Sequence, residues 1–129
     1  VIEPLHNEVN ERRKILTEYK NLLRGFKNKL GTADKNHIRL AFEIANEAHK
    51  DTRRKSGEPY ILHPLAVSRI VVEEIGLGAT SAVCALLHDV VEDTDVTLDD
   101  IKKEFGTTVM KIVDGLTKIS GVFDVASSA

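Results

Sequence analysis

The segment ALLHDVVED carries the densest chemistry in the chain. His88, Asp89, Glu92 and Asp93 stand there among Leu86, Leu87, Val90 and Val91. On one helix, the pairs Asp89–Glu92, Asp89–Asp93 and His88–Glu92 are spaced three or four apart and share a face. Three carboxylates then crowd the C-terminal half of that helix, where the macrodipole disfavours negative charge and mutual repulsion adds to the cost. A bound divalent metal offsets both, and imidazole and carboxylate are suitable ligands. From spacing alone the commoner arrangement is a hydrogen-bonded core histidine beside solvated carboxylates. His63, directly before Pro64, is a second candidate ligand, with a helix-start histidine near solvent as its plainer role.

The loop Arg53-Arg54-Lys55-Ser56-Gly57 is the other candidate. Three cations beside a Ser and a Gly suit phosphate or a polar base edge, through side-chain forks and exposed backbone N–H groups. A solvated surface loop has the same composition. Neither a P-loop nor a G-x-G-x-x-G turn is present. Cys84 lies inside an apolar run and reads as a core residue, not a nucleophile. His49 closes a helical pattern and reads as structural, while His6 and His37 have no partner that the sequence suggests.

The elements that must position these residues are helical almost throughout. Ile15, Leu16, Tyr19, Leu22, Leu23, Phe26 and Leu30 form one apolar stripe, which predicts a leading helix stopped by Gly31. Thr32 or Asp34 is expected to cap a second helix, with Ile38, Ala41, Phe42, Ala45 and Ala48 on its apolar face. DTRRKSGEPY breaks the pattern as a loop. A third helix is expected from about His63-Pro64 to Gly76, and a fourth from Thr80 or Ser81 through Asp93. Thr97 with Asp100 resembles a capping box opening a short helix that ends at Phe105-Gly106. A last helix covers about Thr107 to Lys118, and the tail GVFDVASSA is expected to fray. These elements make residues 1–129 one all-α domain: a leading helix over 1–30, a motif-bearing core over 33–119 and a frayed tail over 120–129.

The composition narrows the function classes. A chain of 129 residues is one domain's worth, and 42% hydrophobic with 29% charged residues is globular, not disordered. The net charge of −2 supplies no global field toward nucleic acid, and two Tyr, four Phe and no Trp leave little for base stacking. One cysteine excludes an internal disulfide framework and fits a reducing, cytoplasmic compartment. The longest apolar stretch, Ser81 through Val91, is interrupted by His88 and Asp89 and falls short of the roughly 20 residues a membrane span needs. The first residues lack the apolar core of a signal peptide, and a start at Val1 with an end at ASSA reads as a piece of something longer.

RKSGEPYILHPLAVSRI, ALLHDVVEDTDVTLDDIKKEFG and VDGLTKIS, in that order, closely resemble the N-terminal HD hydrolase domain of the RelA/SpoT alarmone family. The resemblance covers about Ile38 to Ser120. It implies an HD-superfamily helical fold and metal-dependent hydrolysis of guanosine tetra- and pentaphosphate to pyrophosphate and GDP or GTP. It further implies that His63, His88 and Asp89 bind the metal, usually manganese, that Glu92 and Asp93 orient or activate the attacking water, and that Arg54, Lys55 and Ser56 line the nucleotide site. The intact H-D-x-x-E-D signature fits a hydrolase-competent parent, with synthetase and regulatory domains expected downstream. The family's fourth ligand is an Asp in a later A-D-R-L-H-N-like helix that nothing after Lys118 resembles. That Asp is expected beyond Ala129, and the piece alone is expected to be weak or inactive. Two alternatives stand beside this reading. One is a regulatory nucleotide-binding HD module controlling an adjacent GTP pyrophosphokinase domain; the other is an HD phosphohydrolase of a different nucleotide.

Overall fold

A computed structural model describes the backbone of residues 2–128 and the side chains of residues 8–119. The described residues form helices α1 (Ile2–Arg24), α2 (Thr32–Ala48), α3 (Leu62–Glu73), α4 (Ala79–Leu87), α5 (Val90–Asp93), α6 (Leu98–Phe105) and α7 (Thr107–Ser128). Apart from an isolated antiparallel bridge between Arg53 and Pro59, no strand pairing interrupts them. The fold is all-α.

α4 is the centre. Ala82, Val83, Cys84, Ala85, Leu86 and Leu87 are all buried, as a helix apolar on every side must be. α2 and α3 pack against it, and α7 covers a further part. α2 contributes Ile38, Ala41, Phe42 and Ala45, and α3 contributes Leu65 and Val72. Fully burying side chains such as Leu86 and Leu87 stabilises the fold by about 1.5–3 kcal/mol each. A buried hydrogen bond, Ser68 Oγ to the Ala82 carbonyl at 3.0 Å, fixes α3 against the start of α4. α1 lies along α3, with Leu22 fully buried and Tyr19 stacked on Phe42 at a centroid distance of 4.4 Å.

Several boundaries differ from those the sequence predicts. α1 ends at Arg24 and not at Gly31, and a turn with Lys27 and Asn28 in the left-handed region leads to α2. The cause is packing: α1 turns where Gly25 meets α3, and a Cβ there would stand 3.0 Å from Glu73 Cγ. Phe26 and Leu30 still pack on the core, from the turn instead of from the helix. Gly31 is the N-cap of α2, in place of Thr32 or Asp34. α4 begins at Ala79, capped by Gly78, ahead of Thr80. The capping box of α6 is present in both directions, with Asp100 N–H donating to Thr97 Oγ1 at 3.1 Å and Thr97 N–H to Asp100 Oδ2 at 3.0 Å. α7 continues past Lys118 to Ser128, so the tail expected to fray is helical through Ser128. That tail contains no Pro, and its one glycine, Gly121, costs a helix only about 1 kcal/mol. No helix among the described residues is long and apolar enough to cross a membrane.

Candidate metal centre

The largest departure from the predicted elements falls on the site itself. The continuous helix expected through Asp93 is two helices, α4 and α5, with His88 and Asp89 forming the junction. Their backbone stays near helical values, with Asp89 at φ −93° and ψ −10°. His88 Nδ1 lies 2.6 Å from the Ala85 carbonyl. In an uninterrupted helix that carbonyl would take the Asp89 N–H, so the imidazole competes for the acceptor that would carry the helix onward. Asp89 then becomes the N-cap of α5, its carbonyl accepting from Asp93 N–H at 2.9 Å.

This contact also sets the imidazole's tautomer. With its proton on Nδ1, donated to Ala85, His88 turns the bare Nε2 toward Asp89 Oδ2 at 3.1 Å. Two acceptors that close require a proton or a cation between them. Accordingly the hydrogen bond to Asp89 holds the His88 pKa above its usual value. Burial alone would raise Asp89, but hydrogen bonds from His88 and Tyr60 outweigh it and keep the carboxyl below the usual range.

His63, in the first turn of α3, completes the cluster. One donor atom each from His63, His88 and Asp89 lie within 4.8 Å of one another, and the two imidazole rings are 6.3 Å apart between centroids. Burial, then the Arg54 charge, lowers the His63 pKa and favours the neutral ring that a metal needs. Two imidazoles and a carboxylate, half-buried and already converging, form a donor set that fits a divalent transition metal. Glu92 and Asp93 stand exposed on α5. The Asp93 charge reaches His49, Tyr60 and His88.

The cationic loop opens onto this cluster. Arg54, Lys55 and Ser56 line a groove of about 590 Å³ together with Thr52, Arg53, Tyr60 and His63. The loop is a small hairpin: Arg54 N–H donates to the Glu58 carbonyl at 3.0 Å, Gly57 N–H to Arg54 at 2.8 Å and Tyr60 N–H to Thr52 at 3.0 Å. Gly57 turns at φ 91°, a conformation that side chains resist.

Two residues matter more than their positions in the sequence suggest. Tyr60 Oη donates to Asp89 Oδ2 at 2.5 Å, across 29 positions of chain. The one available cue is its place three residues before His63, where a turn with His63 N–H on the Tyr60 carbonyl sets both at the same mouth. His49 packs its ring on Tyr60 at 4.5 Å and is 2% exposed, with neither ring nitrogen hydrogen-bonded. Cys84 is core, its thiol pushed up to about 11 by burial.

Burial lowers the His49 pKa against the opposing pull of Asp93 and Asp89, with His88 adding to the lowering. The unfolded chain therefore takes up this proton first. Stability is fully present above the unfolded value of 6.5 and is lost as pH falls from there through the lower folded value. In the metal-free domain, His49→Gln is expected to flatten this acid-side loss in denaturant midpoints measured against pH. A slope equal to wild type would show that His49 does not titrate in this way.

Comparison with known proteins places the chain in a family. The HD-domain family matches residues 41–129. The chain is 47% identical over 85 residues to a guanosine-3′,5′-bis(diphosphate) 3′-pyrophosphohydrolase of Aquifex aeolicus, covering 66% of this chain and 12% of the relative. It is 46% identical over 82 residues to the protein of the same name in Vibrio cholerae, covering 64% and 12%. A GTP pyrophosphokinase of Streptomyces coelicolor is 40% identical over 108 residues, covering 84% and 13%. The chain thus spans about an eighth of the length of these curated relatives. With the H-D pair at the α4–α5 junction and His63 facing it, the chain belongs to the HD-domain family, as an HD domain of the RelA/SpoT type.

Proposed function

We propose that this domain is a manganese-dependent guanosine-3′,5′-bis(diphosphate) 3′-pyrophosphohydrolase, which hydrolyses guanosine tetra- and pentaphosphate to pyrophosphate and GDP or GTP. The observation that carries this is the shared groove: His63, one of the three clustered donors, lines the same hollow as Arg54, Lys55 and Ser56. A cluster suited to a divalent ion beside a loop suited to phosphates fits hydrolysis of a phosphorylated substrate. The names of the Aquifex and Vibrio relatives supply the substrate.

In this proposal His63, His88 and Asp89 hold the metal. A divalent ion held there would supply Lewis acidity and would lower the pKa of a water it binds. Glu92 and Asp93 would orient the attacking water or accept its proton. Arg54 and Lys55 neutralise phosphate charge, and Ser56 with the loop's backbone fixes the nucleotide. A further carboxylate of the kind the family resemblance implies would complete the ligand set of His63, His88 and Asp89. The parent protein is cytoplasmic and carries synthetase and regulatory domains.

The test is pyrophosphate release from guanosine tetraphosphate by the full-length protein. Activity with Mn²⁺ that disappears on chelation is expected. Release of phosphate from ordinary nucleotides in preference would assign a different HD phosphohydrolase. The Streptomyces relative's name favours one second reading, control of an adjacent synthetase by bound nucleotide. Tight alarmone binding without pyrophosphate release would select it.

A further inference from the structure

Arg53 and Arg54 are adjacent cations that line one groove but meet different partners. An isolated antiparallel bridge pairs Arg53 with Pro59 at the root of the loop. The Arg54 charge acts on His63. Arg53 instead reaches back to α1. Its Nη1 donates to Glu11 Oε2 at 2.7 Å and its Nη2 to Glu11 Oε1 at 2.9 Å, a two-pronged pair spanning 42 positions of chain. The same Nη1 donates to the Gly57 carbonyl at 2.8 Å, at the turn of the loop. One guanidinium therefore ties a leading-helix carboxylate to the tip of the hairpin.

The pair spans a gap. A groove of about 530 Å³ lies between α1 and the loop, lined by Glu11, Arg12, Ile15, His49, Arg53 and Ile61 among others. Arg53 also lines the groove of the cationic loop, so it stands on the wall between the two hollows. With open space behind it, the loop gains shape from this tie as well as from its own short hydrogen bonds.

We propose that Glu11 and Arg53 are positioning residues for substrate: the leading helix, through this ion pair, holds the hairpin in the shape that presents Arg54, Lys55 and Ser56 to a nucleotide's phosphates. This rests on the hydrolase reading above. Neither residue needs to touch substrate, since the Arg53 charge is already engaged by Glu11. The proposal makes a prediction of unusual sign. If Glu11 acted only through its field, removing an anion beside a phosphate site would tighten substrate binding. If it braces the loop, its removal weakens binding.

The experiment uses the full-length protein with Glu11→Gln and Arg53→Lys. Lys keeps the charge and loses the fork. KM for guanosine tetraphosphate is expected to rise up to about fivefold in each, the range of a well-formed exposed pair, with kcat unchanged. A lower KM in Glu11→Gln, or an unchanged KM in both variants, would overturn the positioning role. Hydrogen exchange supplies a readout independent of the substrate's identity. The Arg54 and Gly57 amides, bonded within the hairpin, are expected to exchange faster in both variants while the amides of α4 do not change. Unaltered exchange at Arg54 and Gly57 would also overturn the proposal. Faster exchange in a protein whose wild type releases no pyrophosphate would sink the hydrolase reading and leave the brace standing.

Discussion

Asp89→Asn in the full-length protein is expected to reduce pyrophosphate release from guanosine tetraphosphate by about 10³-fold or more, since metal and substrate charge are managed at one point. Asn keeps the size of the side chain and an oxygen that can accept from Tyr60 Oη, so the α4–α5 junction retains its hydrogen bond. What it loses is the charge. Two neutral imidazoles then remain of the cluster formed by His63, His88 and Asp89, and neutral nitrogen alone holds a divalent ion less well than nitrogen with carboxylate. Manganese titration by calorimetry is expected to show the affinity fall in parallel. Helix content by circular dichroism is expected to stay at the wild-type level, because the surrounding core of Leu86, Leu87 and Val90 is untouched. Wild-type turnover in Asp89→Asn would remove Asp89 from the metal site and with it the mechanism proposed here.

The parts of this site legible in the sequence are those that depend on residue type within one element. An H-D pair with two further acids in an apolar helix is chemically conspicuous, and the Thr97–Asp100 box needs only local geometry. The all-α class follows from helical periodicity alone. The break between α4 and α5 was not legible, because neither Gly nor Pro causes it. It arises where the His88 ring meets the Ala85 carbonyl, a side-chain contact with no periodicity of its own. The different fates of Arg53 and Arg54 are hidden for a related reason: identical letters part only once the fold has brought Glu11 of α1 beside one of them. The end of α1 at Arg24 depends on how closely Gly25 can approach Glu73, which is a property of two packed helices and not of either segment.

Tyr60 belongs to that hidden class, and its removal tests how much the site relies on support around the three donors. Tyr60→Phe deletes one oxygen and leaves the ring, which His49 packs against at 4.5 Å and His63 meets edge-on at 5.8 Å. Packing is therefore preserved, and the change isolates the hydrogen bond to Asp89 Oδ2. That bond fixes one carboxylate oxygen in the position where it also faces His88 Nε2. Without it the Asp89 carboxylate can rotate, and the geometry of the donor set loosens. Partners of this kind are worth about 10- to 100-fold in metal affinity or activity. Manganese affinity in the full-length Tyr60→Phe protein is accordingly expected to fall by about that factor, with kcat recovering at saturating metal. KM for the alarmone at saturating metal is expected to stay near wild type, because Arg54, Lys55 and Ser56 are unchanged. The two directions separate support of the metal from contact with substrate. A KM defect that saturating manganese does not relieve would show that Tyr60 acts on the nucleotide instead of on Asp89.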